Sequence, residues 1–134
     1  MIGIVIVAHG GLAREYLSAV EHVMGPQPGI RAIAIEPDCN RDAKRSEIMA
    51  AADGVDAGAG VVIVTDLFGG SPSNLSLPAC EPVGRRILYG ANLPLLLKLA
   101  RSRRKPVAEA VRAALEAGRK YIDSQDITPD LRRT

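Results

Sequence analysis

The sequence predicts an α/β fold: an open, mostly parallel β-sheet with helices on both faces, in three α/β/α layers. Three observations carry that prediction. Strand-like and helix-like segments alternate along the chain. The strand-like segments are apolar at almost every position, the mark of strands covered on both faces. Turns rich in glycine or asparagine follow three of them, where open parallel sheets collect their ligands.

The β-branched run Ile2 to Ala8 reads as a first buried strand, closed by Gly10-Gly11. A helical pattern follows from Leu12 to about Met24, with Leu12, Tyr16, Ala19, Val20 and Val23 on one face, and Gly25-Pro26 stops it. Ile30 to Ile35 is a second strand, ended by Pro37-Asp38. A helix from about Arg41 to Ala52 turns Ile48 and Met49 inward. Val61 to Thr65 is a third strand, followed by a loop and a short helix from Ser73 to about Cys80 with Pro72 at its start. Arg86 to Tyr89 is a short fourth strand. Pro94 opens a leucine-rich helix, and Pro106 another, in which Val107, Ala110, Val111, Ala114, Leu115 and Tyr121 share a buried face.

Residues 1–123 are read as the domain and 124–134 as a polar tail with Ile127 its one apolar anchor. With 47% hydrophobic residues, 3% aromatics and no Trp, the core must be built from Val, Ile, Leu and Ala. The net charge is only +2, but from Lys98 onward ten basic residues face five acidic ones, densest at Arg101, Arg103, Arg104 and Lys105. No stacking aromatics accompany them, which argues against nucleic acid and for a solvated face or a partner-docking patch. Cys39 and Cys80 show no metal-ligand spacing and read as reduced thiols of a cytoplasmic protein. The apolar N-terminal run lacks a preceding basic residue and is too short for a signal peptide, and no stretch reaches membrane-spanning length.

The chemistry collects at strand ends. The first strand ends in Ala8-His9-Gly10-Gly11, the third in Asp66-Leu67-Phe68-Gly69-Gly70-Ser71-Pro72, the fourth in Gly90-Ala91-Asn92. Parallel strands bring these ends to one edge. Imidazole, with an unperturbed pKa of about 6.5, is a nucleophile near neutral pH. A carboxylate that takes a hydrogen bond from one ring N–H leaves the other nitrogen bare. Asp66 is the candidate for that role beside His9. Backbone N–H groups at glycine turns bind anionic oxygens, so Gly10, Gly69, Gly70 and the Ser71 hydroxyl are candidate contacts for a phosphoryl group. Each residue alone also fits a plainer reading: His9 as a turn residue, Asp66 as a loop-orienting side chain, the Gly-Gly-Ser-Pro segment as a tight turn. His22 lies off the apolar face of its helix and reads as exposed.

Val-Ala-His-Gly after the first strand, Asp-Leu-Phe-Gly-Gly-Ser-Pro-Ser-Asn after the third and Gly-Ala-Asn-Leu-Pro-Leu-Leu after the fourth resemble the mannose-family IIA domain of the bacterial phosphotransferase system (PTS). The likeness runs from about Ile2 to Tyr121. It implies that His9 is the phosphorylated histidine, that Asp66 hydrogen-bonds it, and that Ser71 lies near the phosphate on a loop shaped by Gly69 and Gly70. It further implies a phosphotransferase component that takes a phosphoryl group from the phosphocarrier protein HPr and gives it to a separate IIB component, with no metal or organic cofactor and no membrane insertion. A homodimer, with a C-terminal strand exchanged between subunits, is also implied. The same features fit a regulatory phosphoprotein whose His9 phosphorylation controls binding to an enzyme or sensor. Two departures stand out: Ala8 where the family often has Thr, and Phe68 where it often has Trp. A metal-inserting chelatase also places a His after its first strand, but His22 is the only other histidine here. A dihydroxyacetone kinase phosphocarrier subunit is the nearer alternative, against which the Gly-Gly-Ser-Pro loop argues.

Overall fold

A computed structural model describes residues 1–128. In it, β1 (Gly3–His9), β2 (Ile30–Ile35), β3 (Val61–Thr65) and β4 (Arg85–Leu88) pair in parallel in the order β2-β1-β3-β4. Between them run α1 (Leu12–Met24), α2 (Arg41–Val55) and the short α3 (Ser71–Ser76), and after β4 come α4 (Leu93–Arg101) and α5 (Val107–Lys120). The expected open parallel α/β sheet is what the chain forms.

Period-2 alternation along β1 splits the core in two. Ile4, Ile6 and Ala8 pack with Val62 and Val64 against Val20, Leu95, Leu99, Ala110 and Ala114 on the side of α1, α4 and α5. Val5 and Val7 pack with Ile33 and Ile63 against Ile48, Ala51, Ala52 and Leu75 on the side of α2 and α3. Each fully buried Val, Ile or Leu contributes roughly 1.5–3 kcal/mol, so covering both faces of β1 is what holds this strand at the centre. Its last side chain, His9, continues the Val5–Val7 row and so turns toward α2 and α3.

Several expectations shift. β1 extends one residue further, because His9 still pairs in register with Ile35. In α1 Leu12 and Val23 are exposed, and the seam is Ala13, Tyr16, Leu17, Val20 and Met24, where the Tyr16 hydroxyl donates to the Ala91 carbonyl at 3.1 Å. α2 runs to Val55 because its last turn still packs against the sheet. α3 starts two residues early, at Ser71, and gives way to a 3-10 turn over Leu77–Cys80, where Pro78 cannot donate to an α-helical ladder. β4 begins at Arg85, whose guanidinium binds Asp53 at 2.7 Å, Asp56 at 3.3 Å and the Ala79 carbonyl at 3.0 Å.

Tyr121 is not on the buried face of α5: the helix stops at Lys120 and the ring is 65% exposed, while Gly118 takes the place against Leu95. In the basic cluster Arg103 is buried, its Nε donating to the Ile2 carbonyl at 2.7 Å, so one of the four cations fastens the fold instead of facing solvent. Of the tail, 122–128 form no regular structure and 129–134 lie outside the described residues, as does that part of the expected exchanged strand. Among the described residues no helix is long and apolar enough to cross a membrane.

Candidate functional site

From β1 the chain crosses to β2 on one side and returns to β3 on the other. The carboxyl ends of β1 and β3 therefore flank the point where the strand order reverses, the usual ligand crevice of an open parallel sheet. His9 ends β1 and Asp66 follows β3 at this point. The His9 ring Nδ1 lies 2.7 Å from Asp66 Oδ2, and the same oxygen accepts the His9 backbone N–H at 3.0 Å. Asp66 Oδ1 accepts from the Leu67 N–H at 3.0 Å. Burial pushes the Asp66 carboxyl up, but the His9 backbone N–H, the His9 ring and its charge together outweigh it, so the group sits below the ordinary carboxylate value. An ionised carboxylate only accepts hydrogen bonds. Nδ1 therefore donates to Asp66, and in the neutral ring Nε2 presents its lone pair.

The two partners differ in access: the His9 side chain is 49% exposed and that of Asp66 9%. Gly10, with φ +53° in the left-handed region, turns the chain away immediately after the ring. On the Nε2 side Gly70 lies against the imidazole: a Cβ there would stand 3.2 Å from Cε1 and 3.6 Å from Nε2. His9, Gly10, Cys39, Arg41, Ser71 and Glu36 line a cavity of about 330 Å³.

Of the residues singled out from the sequence, His9, Asp66, Gly10, Gly70 and Ser71 come together here. Gly69 does not face the cavity; with φ +89° it bends the loop that delivers Gly70 and Ser71. Phe68 is 76% exposed and meets Tyr89 edge-on, with ring centroids 4.9 Å apart. Asn92, at the third strand end singled out, caps α4 by accepting from the Leu95 N–H and donates to the Gly118 carbonyl, so it serves packing. His22 is exposed in the last turn of α1, as expected. Burial pushes the Cys80 thiol up to about 11, against only a weaker pull from Arg85, the reverse of what a nucleophile needs.

Sequence reasoning missed Arg41 and Cys39. Both sit after β2, a strand end that carries no glycine pair and so gave no local signal. The available signal was positional: β2 neighbours β1 in parallel, so the first residue of α2 arrives at the same edge.

The profile of the EIIA-man family, described as PTS system fructose IIA component, matches residues 3–116. The mannose-specific EIIAB component of the PTS from Escherichia coli K12 is 29% identical over 131 residues, 96% of this chain and 41% of that protein. The chain thus spans about two-fifths of the length of that curated relative. The sorbose-specific EIIA component from Lacticaseibacillus casei is 30% identical over 100 residues, 72% of this chain and 70% of the relative. Among solved structures, a PTS component EIIA from Streptococcus agalactiae superimposes with a TM-score of 0.82 at 27% identity, covering 92% of this chain and 97% of its own. A mannose/sorbose-specific IIA subunit from Enterococcus faecalis, at 21% identity and a TM-score of 0.84 over 97% of this chain and 98% of its own, shares the fold.

Proposed function

The chain belongs to the EIIA-man family of PTS IIA components, and from that premise we propose that it is a phosphocarrier that accepts a phosphoryl group on His9 from HPr and passes it to a separate IIB component. The observation that carries the reading is the 2.7 Å contact of His9 Nδ1 with Asp66, which leaves Nε2 unpaired beside an open cavity.

In the forward step the Nε2 lone pair attacks the phosphorus of phospho-HPr. The Nε2–P bond forms as the donor's N–P bond breaks, and that bond's electron pair returns to the donor imidazole. The Nδ1 proton stays shared with Asp66, whose negative charge meets the positive charge growing on the ring. The reverse sequence of bonds, with a IIB nucleophile as acceptor, discharges the protein. Because phosphoryl transfer needs positioning and charge stabilisation more than further covalent help, the remaining residues act on the oxygens. Gly10 and Gly70 let the backbone approach them, the Ser71 hydroxyl donates, and Gly69 holds the loop in shape. Both partners must reach His9, and its half-exposed ring supports that. A homodimer belongs to the same reading, and light scattering of the purified protein measures it.

Incubation with phosphoenolpyruvate, enzyme I and HPr is expected to place an acid-labile phosphate on the wild type and none on His9→Ala, with little loss of stability in the variant because the ring is half-exposed. A wild type that takes up no label overturns the proposal.

A further inference from the structure

Arg41 is the first residue of α2 and lines the cavity that holds His9. Its Nη1 donates to Ser71 Oγ at 3.4 Å, a long bond, and Ser71 lines the same cavity. Among the described residues Arg41 forms no ion pair, whereas its neighbour Arg45 pairs with Asp42 at 2.7 Å. Glu36 also lines the cavity and does not come within ion-pair distance of the guanidinium. Nothing in the fold asks for a cation here. The first turn of a helix carries the positive end of its dipole and favours acidic side chains. The cap of α2 is made by Asn40, whose side chain accepts from the Ala43 N–H at 2.9 Å. An exposed arginine at a disfavoured position, without an ion-pair partner among the described residues and lining the same cavity as a nucleophile, is a cation waiting for an anion.

We propose that Arg41, working through the same cavity as Ser71, is the cationic clamp for the phosphoryl oxygens on His9 Nε2, an inference that rests on the phosphocarrier reading. As the phosphoryl group passes from donor nitrogen to Nε2, charge spreads over its three peripheral oxygens. The planar guanidinium offers two parallel N–H donors to them, and the Ser71 hydroxyl a third. The bond to Ser71 orients the guanidinium before the anion arrives. No proton moves to or from Arg41.

The test compares the wild type with Arg41→Met, Arg41→Lys and, as a control that removes the same charge one turn further along α2, Arg45→Met. In single-turnover phosphorylation by phospho-HPr, Arg41→Met is expected to be about tenfold slower, a modest factor because the site is open to solvent. Arg41→Lys recovers part of the rate and Arg45→Met stays within about twofold. In the phosphorylated proteins the 31P titration midpoint of the phosphoryl group moves up by about half a pH unit in Arg41→Met alone, a readout that a purely structural role would leave unmoved. The unphosphorylated proteins are also titrated with inorganic phosphate, followed by the His9 ring 15N signals. Binding is expected in the wild type and its loss in Arg41→Met. If Arg41→Met accepts phosphate at the wild-type rate with an unmoved 31P midpoint, the clamp is wrong while the phosphocarrier stands. If the wild type is not labelled by HPr, the phosphocarrier reading falls, and loss of phosphate binding in Arg41→Met then upholds the anion clamp while equal binding in both overturns it.

Discussion

At the carboxyl end of the sheet His9 Nδ1 meets Asp66 Oδ2 at 2.7 Å; at the opposite end Arg103 Nε meets the Ile2 carbonyl, also at 2.7 Å. Each contact joins distant parts of the chain, and in each a nitrogen faces an oxygen. They differ in what surrounds them. Arg103 is 4% exposed, its Nη1 is buried without a partner, and burial pulls its pKa down, so that end of the fold accepts an electrostatic cost to tie the start of β1 to the segment between α4 and α5. His9 spends one nitrogen on Asp66 and leaves the other open. Equal lengths therefore say little about purpose: a contact closed on all sides fastens, and a contact closed on one side presents chemistry.

Removing the carboxylate strikes this comparison hardest. Asp66→Asn keeps the shape but frees Nδ1 to choose its tautomer, and phosphoryl acceptance from HPr is expected to slow about a hundredfold. The same variant tests the acid limb of stability. The folded Asp66 carboxyl lies below its unfolded value, so its stabilising contribution is complete above about pH 4 and disappears as pH falls through the folded value. Denaturant unfolding at stepped pH is expected to show the gap between wild type and Asp66→Asn closing toward the acid end.

Breaking the other contact costs the fold instead. Arg103→Ala removes the donor to the Ile2 carbonyl and leaves a buried void, for a loss of about 2 kcal/mol in denaturant unfolding. The rate of phosphoryl acceptance per folded molecule should be unchanged. A slower rate in Arg103→Ala would show that the two ends of the sheet are coupled.

The smallest effect sharpens the open side of His9. Gly70 has φ −86°, which any residue adopts, so Gly70→Ala is not strained by its backbone. Its new Cβ would meet His9 Cε1 at 3.2 Å and Leu67 Cδ1 at 3.3 Å, both tighter than ordinary contact. The ring must give way, and acceptance is expected to fall about tenfold with little change in stability. An unaltered rate would mean that the ring has slack.

Much of this was legible in the residues. The apolar runs at Val61–Thr65 and Ile30–Ile35 mark strands of the right length, because a strand buried on both faces leaves no polar position to confuse the pattern. His9, Asp66 and Gly-Gly-Ser are visible because each breaks such a run. Helix faces were less legible. Leu12 and Val23 of α1 look like core, yet Ala13 and Leu17 share the seam, since a helix on a twisted sheet is rotated by the side chains it meets and not by its own average hydrophobicity. Arg103 reads as one of a cluster of surface cations, and only packing shows that it is buried.

By itself the sequence determined the alternation of strands and helices, an open and mostly parallel sheet and the identity of the histidine, carboxylate and glycine loop at its carboxyl edge, because these follow from local periodicity and from rules of parallel connection. Tertiary structure decided which nitrogen of His9 is left bare, that Gly70 lies against the ring, and that Arg41 shares its cavity. Those facts depend on the β2-β1-β3 order and on the row of side chains along β1, which set residues far apart in the chain within hydrogen-bonding distance, and distance across the fold leaves no trace in spacing along it.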